Sequence, residues 1–151
     1  MIGGFFENNL RPTAEVYDPV KDEWESIPPM FTARFNAGAA SIGEKIFVVG
    51  GEGADFQGGH VSFQTGECYD PKTKTWTRIP NMIDVNGAVE AVVIDGALFV
   101  VDYCSNYMER YSPNSNIWET VKVSEDFQIQ ALCSLSKKYL PKNNKNMNNN
   151  R

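Results

Sequence analysis

The side chains that most often carry chemistry are few and scattered in this sequence. His60 is the single histidine among 151 residues, so no site or mechanism that needs two histidines can be built. The cysteines are Cys68, Cys104 and Cys133, an odd number without any Cys-x-x-Cys pair. This pattern supports neither a structural zinc site nor a thioredoxin-like motif. We therefore predict no metal site and no cofactor.

No pattern typical of a catalytic centre is present either. Gly50-Gly51-Glu52-Gly53 lacks the Lys-Ser/Thr that completes a phosphate-binding loop. Carboxylate pairs such as Asp22-Glu23 lie beside predicted turns rather than in a recognisable cleft. The net charge of −5 disfavours a phosphate-binding surface. We assign no catalytic residue, and we predict a protein that is not an enzyme and does not bind nucleic acid.

A second group of residues is better suited to contacting a protein or peptide. In the segment 52–67, two phenylalanines stand among glycines and polar residues, as interface anchors often do. The segments 32–36 and 84–87 hold further polar candidates. The candidate contacts from these segments are Arg34, Asn36, Asp55, Phe56, Gln57, His60, Phe63, Gln64 and Asn86.

Structural alternatives exist for three of these candidates. Phe63 could cover a sheet edge if residues 61–63 extend the following strand. Arg34 could bind an acidic peptide through a bidentate contact, or it could hold neighbouring backbone carbonyls. His60 could be a solvated loop residue without any binding role.

An internal repeat supplies the elements that would position these residues. A tyrosine is followed by a tryptophan seven positions later in three places, and all three tryptophans of the chain fall at this position. The three pairs are Tyr17 and Trp24, Tyr69 and Trp76, and Tyr111 and Trp118. Two of the units also carry a di-glycine, Gly3-Gly4 and Gly50-Gly51. We interpret these tyrosines, tryptophans and glycines as structural residues, the aromatic rings filling the space between neighbouring sheets.

Each repeat unit is predicted to form four short antiparallel strands. The first and second strands are joined at Gly43-Glu44 or Asp95-Gly96, pairs suited to tight hairpins. The third and fourth are joined at Asp18-Pro19, Asp70-Pro71 or Ser112-Pro113, which favour type I turns. Gly38-Ala39-Ala40-Ser41 suits a crowded innermost strand because its side chains are small.

The combination of di-glycine, tyrosine, six residues and tryptophan resembles the kelch repeat. The resemblance implies an all-β fold, a kelch-type β-propeller in which each repeat is one four-stranded blade. It also implies that the segment 52–67 and the connections 32–36 and 84–87 lie at the same end of the fold. The third unit departs from the pattern, because Asp102-Tyr103 replaces the di-glycine and Asn86 stands where the second has Arg34. We expect the second strand of that unit to end differently, or the blade to be looser.

The predicted units amount to an incomplete propeller of about three blades. Residues 1–30 form a partial blade without its innermost strand, 31–82 a blade, 83–123 a degenerate blade, 124–140 the start of a further blade, and 141–151 a disordered Asn-rich tail. Closed propellers typically have four to eight blades. Three explanations stay open: a truncated product or incomplete sequence, an open arc covered by a partner, or a homodimer that closes the ring.

The resemblance implies a protein-interaction module as the function. The chain looks like part of the substrate-recognition propeller of kelch-like adaptors for cullin-type ubiquitin ligases, or of actin-binding kelch proteins. The alternatives are a truncated kelch copy without independent function and a fragment of a propeller enzyme. The odd cysteine count and the absence of Asn-x-Ser/Thr sequons favour a cytoplasmic protein, and no stretch is apolar enough for a membrane span.

Overall fold

The computed structural model describes residues 1–7, 9–55, 57–84, 87–102 and 107–122. All regular elements of these residues are strands, which confirms the all-β prediction. Within them, no helix has the length and apolar character needed to cross a membrane. The strands are β1 Phe5–Phe6, β2 Asn9–Leu10, β3 Ala14–Asp18, β4 Glu23–Ile27, β5 Gly38–Ile42, β6 Lys45–Val49, β7 Glu52–Ala54, β8 His60–Ser62, β9 Gly66–Asp70, β10 Thr75–Ile79, β11 Val89–Ile94, β12 Ala97–Asp102, β13 Tyr107–Ser112 and β14 Ile117–Lys122.

The strands form two complete four-stranded antiparallel sheets and one partial unit. One sheet has the order β5-β6-β9-β10, and the other has the order β11-β12-β13-β14. The first unit consists of the β3–β4 hairpin, with a single bridge between Ile2 and Ala14. Two further hairpins, β1–β2 and β7–β8, are inserted before the third strands of the first and second units.

The tight turns lie at the predicted positions. Gly43, between β5 and β6, has a φ of 60°, and Asp95 and Gly96, between β11 and β12, have φ values of 52° and 74°. Such positive φ values match the right-handed twist of hairpin strands and are least costly for glycine and aspartate. At the outer hairpins, the carboxylates of Asp18 and Asp70 each accept a backbone N–H two residues later, at 2.9 Å.

Small residues allow the first strands of neighbouring sheets to approach closely. A Cβ atom added at Gly38 in β5 would lie 2.8 Å from the Cβ of Ala91 in β11. The buried second strands pack outside this contact, with Val49, Leu98 and Val100 all fully buried. This arrangement explains the small residues of the innermost strands and the apolar runs of the strands that follow them.

The repeat tryptophans join each unit to the one before it. Trp76 is 6% exposed, and its indole Nε1 donates a hydrogen bond of 2.7 Å to the Pro28 carbonyl. Trp118 is 7% exposed and donates a hydrogen bond of 2.9 Å to the Pro80 carbonyl. In both units the tyrosine ring packs on the tryptophan, with centroids 5.1 Å apart. These four rings therefore fill the junctions between the units.

The first unit differs, and here the prediction of buried rings is wrong. Tyr17 is 41% exposed and Trp24 is 59% exposed. The two rings keep the repeat geometry, with centroids 5.2 Å apart. They are exposed because no described element packs on the face that the second and third units bury.

The di-glycines have positive φ values, and Gly3, Gly50 and Gly51 also have little room for a side chain. Gly3 and Gly4 have φ values of 64° and 125°, and Gly50 and Gly51 have values of 64° and 83°. A Cβ at Gly51 would lie 2.6 Å from the carbonyl oxygen of Phe35. In the third unit β12 continues through Asp102, the position of the first glycine, so the strand does end differently there. Tyr103 lies outside the described residues.

Candidate functional site

The long loops and the inter-unit connections meet at one end of the sheets. Phe35, in the connection to the second unit, exchanges two backbone hydrogen bonds with Glu52 at the start of β7, at 3.0 and 2.8 Å. Gly51 donates a hydrogen bond of 3.1 Å to the Gly87 carbonyl in the next connection. The β7–β8 hairpin therefore lies beside the connections, the placement that the kelch resemblance implies. Residues 61–62 pair with β7 rather than extending β9, which corrects the alternative placement of that segment.

An aromatic row crosses this end from the first unit to the second. The rings of Phe5 and Phe35 have centroids 5.9 Å apart, and those of Phe35 and His60 are 6.4 Å apart. Phe5 comes from β1 and is 58% exposed, whereas His60 comes from β8 and has a side chain that is 62% exposed. Two inserted hairpins thus contribute rings to one continuous surface.

Glu52 lies beneath this row between two polar side chains. Its Oε2 accepts a hydrogen bond of 3.0 Å from the Asn36 amide, and its Oε1 lies 3.6 Å from His60 Nε2. The Glu52 side chain is 19% exposed. We call Phe5, Phe35, Asn36, Glu52 and His60 the loop-end patch. It brings together two predicted site residues, Asn36 and His60.

The tip of the β7–β8 hairpin is held by Asp55. Its Oδ1 accepts hydrogen bonds of 2.8 Å from the backbone N–H groups of both Gln57 and Gly59. The carboxylate of this predicted contact is thus engaged within the loop. Gln57 lies exposed at the tip. Phe56, between them in sequence, is outside the described residues.

Arg34 lies inside the fold, beneath the surface that it was proposed to serve. Its side chain is 1% exposed and forms an ion pair of 3.0 Å with Glu67. It also donates to the carbonyls of Gly50 at 2.6 Å and Thr65 at 3.0 Å. Burial lowers the pKa of the guanidinium below its usual value, and the contact with Glu67 opposes that shift. These contacts match the alternative in which Arg34 holds backbone carbonyls.

Phe63 and Gln64 lie beside this buried group. The Arg34 guanidinium is 5.3 Å from the centroid of the Phe63 ring, and a Cβ added at Gly53 would lie 2.6 Å from that ring. Gln64 is half-buried, and its carbonyl accepts the Met82 N–H at 2.9 Å. The Phe63 ring therefore packs beneath the β7–β8 hairpin, whereas the Gln64 backbone pairs with the connection to the third unit. Asn86 is outside the described residues.

Sequence reasoning missed a glutamate that recurs two residues before each repeat tyrosine. Glu67 accepts the backbone N–H groups of Phe31 and Thr32 at 2.7 and 3.0 Å. Glu109 accepts those of Ile83 and Asp84 at 2.7 and 2.6 Å. Glu15 stands at the same position of the first unit. The signal was available, because the spacing to tyrosine is the same in all three units.

Chemistry-bearing residues do not cluster in the part of the chain that the structure describes. Those residues hold no group of three or more His, Cys, Asp or Glu that could bind a metal. Cys68 is a buried free thiol in β9, and burial raises its pKa. Cys104 and Cys133 lie outside the described residues. The arrangement of the described residues at the loop end suits the packing of loops and aromatic rings.

Comparison with known proteins extends the repeat assignment. The family profile described as the Kelch motif matches residues 2–31 and 33–83. Kelch-like protein 25 of Xenopus tropicalis is 31% identical over 124 residues, which cover 74% of this chain and 21% of that protein. Kelch-like protein 35 of Mus musculus is 28% identical over 117 residues, covering 78% of this chain and 20% of that protein.

Similarity also extends to plant proteins and to a solved structure. An F-box/kelch-repeat protein of Arabidopsis thaliana is 41% identical over 78 residues, covering 50% of this chain and 19% of that protein. The solved structure of YjhT matches with a TM-score of 0.64 at 15% identity, covering 79% of this chain and 53% of that one. The chain spans about a fifth of the length of these curated relatives. Together the repeat units, the junctions between them and the profile match establish that this chain belongs to the kelch-repeat family and has an incomplete kelch-type β-propeller fold.

Proposed function

We propose that this chain is a non-enzymatic protein-interaction module that binds a partner through the loop-end patch. The observation that carries the proposal is the row of Phe5, Phe35 and His60, which joins hairpins of two units into one exposed surface. Exposed aromatic rings supported by a rigid sheet are typical anchors for a protein partner. Kelch-like proteins as a class support protein binding in general.

The partner is proposed to place an apolar or aromatic side chain against the Phe5 and Phe35 rings. Glu52 then offers a partly buried carboxylate beside the same surface, and charge-assisted hydrogen bonds to it would add specificity. Arg34 is left out of this surface because its side chain is buried. Gln57 adds a polar contact at the hairpin tip, where it is exposed.

The cellular role belongs to the same proposal. Our first candidate is a cytoplasmic adaptor role, in which a propeller presents substrates to a cullin-type ubiquitin ligase. The kelch-like and F-box/kelch-repeat relatives suggest it by their names. Actin binding is the second, and it rests on the kelch repeat alone.

Homodimerisation that closes the ring stays a separate prediction, and sedimentation velocity tests it. A monomer at all concentrations would contradict it.

Site-specific photocrosslinking tests the proposed surface. A photoreactive residue placed at His60 should capture a defined protein from cell extract, and the Phe5→Ser substitution should abolish that capture. Val20 is a matched control position, since it is 93% exposed in the turn at the opposite end of the strands. Capture of the same protein from Val20, with none from His60, would overturn the proposal. Actin or a ligase subunit among the captured proteins would decide between the two roles.

A further inference from the structure

The carboxylate of Glu52 is largely removed from water. Its side chain is only 19% exposed, and the aromatic row of Phe5, Phe35 and His60 lies above it. On another side, a Cβ atom added at Gly87 would lie 3.5 Å from the Glu52 Oε1, so the connection to the third unit is also close. Burying a charge in this way is costly unless an opposite charge compensates for it.

The described residues give this carboxylate one neutral donor and one titratable ring. The Asn36 amide donates to the Glu52 Oε2 at 3.0 Å, and His60 Nε2 lies 3.6 Å from Oε1, which is too long for a hydrogen bond. An imidazole carries a charge only when it is protonated. No lysine or arginine in the described part of the chain forms an ion pair with Glu52. Both oxygens therefore keep lone pairs for a further donor.

The charges around the loop-end patch favour a cation as that donor. The two inserted hairpins, residues 5–10 and 52–62, contain three carboxylates and neither lysine nor arginine. The guanidinium of Arg34 lies beneath this surface, but it is already paired with Glu67 at 3.0 Å. The chain as a whole has a net charge of −5, so its long-range field also attracts cations.

We propose that the loop-end patch receives an arginine side chain of the partner, whose guanidinium pairs with Glu52 and lies against the rings of Phe35 and His60. A guanidinium suits this site better than an ammonium, because its planar face stacks on rings while its edge donates two hydrogen bonds to a carboxylate. An apolar neighbour of that arginine packs on Phe5. The inference rests on the proposed function, since it names the side chain that the partner brings to the same patch.

The peptide acetyl-Arg-Trp-Arg-amide is a direct probe, because it offers an arginine on either side of an aromatic ring. Titrated into the ¹⁵N-labelled chain, it should saturably shift the Asn36 side-chain amide and the Glu52 backbone N–H, and leave the indole signals of Trp76 and Trp118 in place. The same peptide with citrulline for arginine keeps the shape and removes the charge. It should bind at least about 10-fold more weakly, the worth of a charge-assisted hydrogen bond.

The Glu52→Gln substitution removes the charge from the other side of the same contact. It keeps the size of the side chain and an oxygen that can accept the Asn36 amide. It should weaken binding of the arginine peptide about 10-fold and leave the affinity of the citrulline peptide unchanged. Glu44→Gln is the matched control, because Glu44 pairs with Lys72 at the opposite end and its side chain is 67% exposed. This control should change neither affinity.

Three results would overturn the proposal: equal affinity for the two peptides, no shift of the Asn36 signal, or full affinity for the arginine peptide in Glu52→Gln. The last result would leave Glu52 as a brace between the loops. Photocrosslinking separates this failure from that of the proposed function. If Phe5→Ser still abolishes capture through His60, the patch binds a partner without arginine and only this inference fails. Capture that survives Phe5→Ser contradicts the proposed function itself.

Discussion

Replacing Arg34 with methionine separates a structural role of this residue from a binding role. Arg34 and Glu67 are both 1% exposed, and their ion pair of 3.0 Å is closed off from solvent. The substitution removes one partner and leaves the Glu67 carboxylate buried without its counter-charge. It also leaves the Gly50 and Thr65 carbonyls without the donors that now lie 2.6 and 3.0 Å away. Breaking a buried pair in this way costs about 3–5 kcal/mol.

Urea unfolding followed by circular dichroism measures that loss. Against a total stability of about 5–15 kcal/mol, the Arg34→Met variant should be severely destabilised. Arg110→Met is the matched control, because Arg110 and Glu119 form an ion pair of the same 3.0 Å length with side chains that are 38% and 63% exposed. We expect this exposed pair to contribute about 0–1 kcal/mol.

The Arg34→Met, Glu67→Gln double variant refines the test. It leaves no uncompensated buried charge, so its loss of stability should be smaller than the sum of the two single losses. A structural role for Arg34 would be excluded if Arg34→Met were no more destabilising than Arg110→Met and yet abolished partner binding. Arg34 would then act at the surface, as an acidic-peptide contact.

Three further predictions concern glycine, pH and thiol reactivity. Gly50→Ala should lower the free energy of unfolding by about 1–3 kcal/mol in urea titrations, because φ is 64° and the new Cβ would lie 2.7 Å from Val89. The backbone N–H of Lys72 donates to the Asp70 carboxylate and lowers its pKa below the ordinary value of 3.8. The ionised carboxylate therefore stabilises the fold above pH 3.8, and this stabilisation is lost as the pH falls below that value. The Asp70→Asn variant should therefore lose less stability than the unsubstituted chain as the pH falls below 3.8, as measured by unfolding at several pH values. Burial raises the pKa of the Cys68 thiol, so iodoacetamide should react with it only when the fold opens. Mass spectrometry detects the labelled thiol.

The repeat made the fold predictable from this single sequence. Each Tyr-to-Trp spacing fixes the position of one outer hairpin, and the Gly43-Glu44 and Asp95-Gly96 pairs fix the inner ones. The recurrence is decisive because the same combination of a turn residue and a large aromatic ring occurs three times in one chain. The exposure of Tyr17 and Trp24 was not predictable from the pattern alone, since burial depends on what packs against a unit.

The candidate site was only partly predictable. Loop length indicated where the long loop and the connections meet, and Asn36 and His60 do lie together there with Glu52. Phe5 was missed because the β1–β2 hairpin is too short to be recognised from two phenylalanines. The sequence left both roles of Arg34 open, because a charged side chain on a connection can also point inward when a buried carboxylate such as Glu67 lies on the adjacent strand.

Paired surface variants test whether a partner binds at the loop-end patch. One variant combines Phe5→Ser with His60→Ser in the loop-end patch. Its control combines Val20→Ser with Lys72→Ser, an exposed apolar residue and an exposed cation at the opposite end. With the partner captured through His60, titration calorimetry should show affinity at least roughly 10-fold weaker for the first variant and unchanged for the second. Unchanged affinity in the first variant, with a loss in the second, would contradict binding at the loop-end patch.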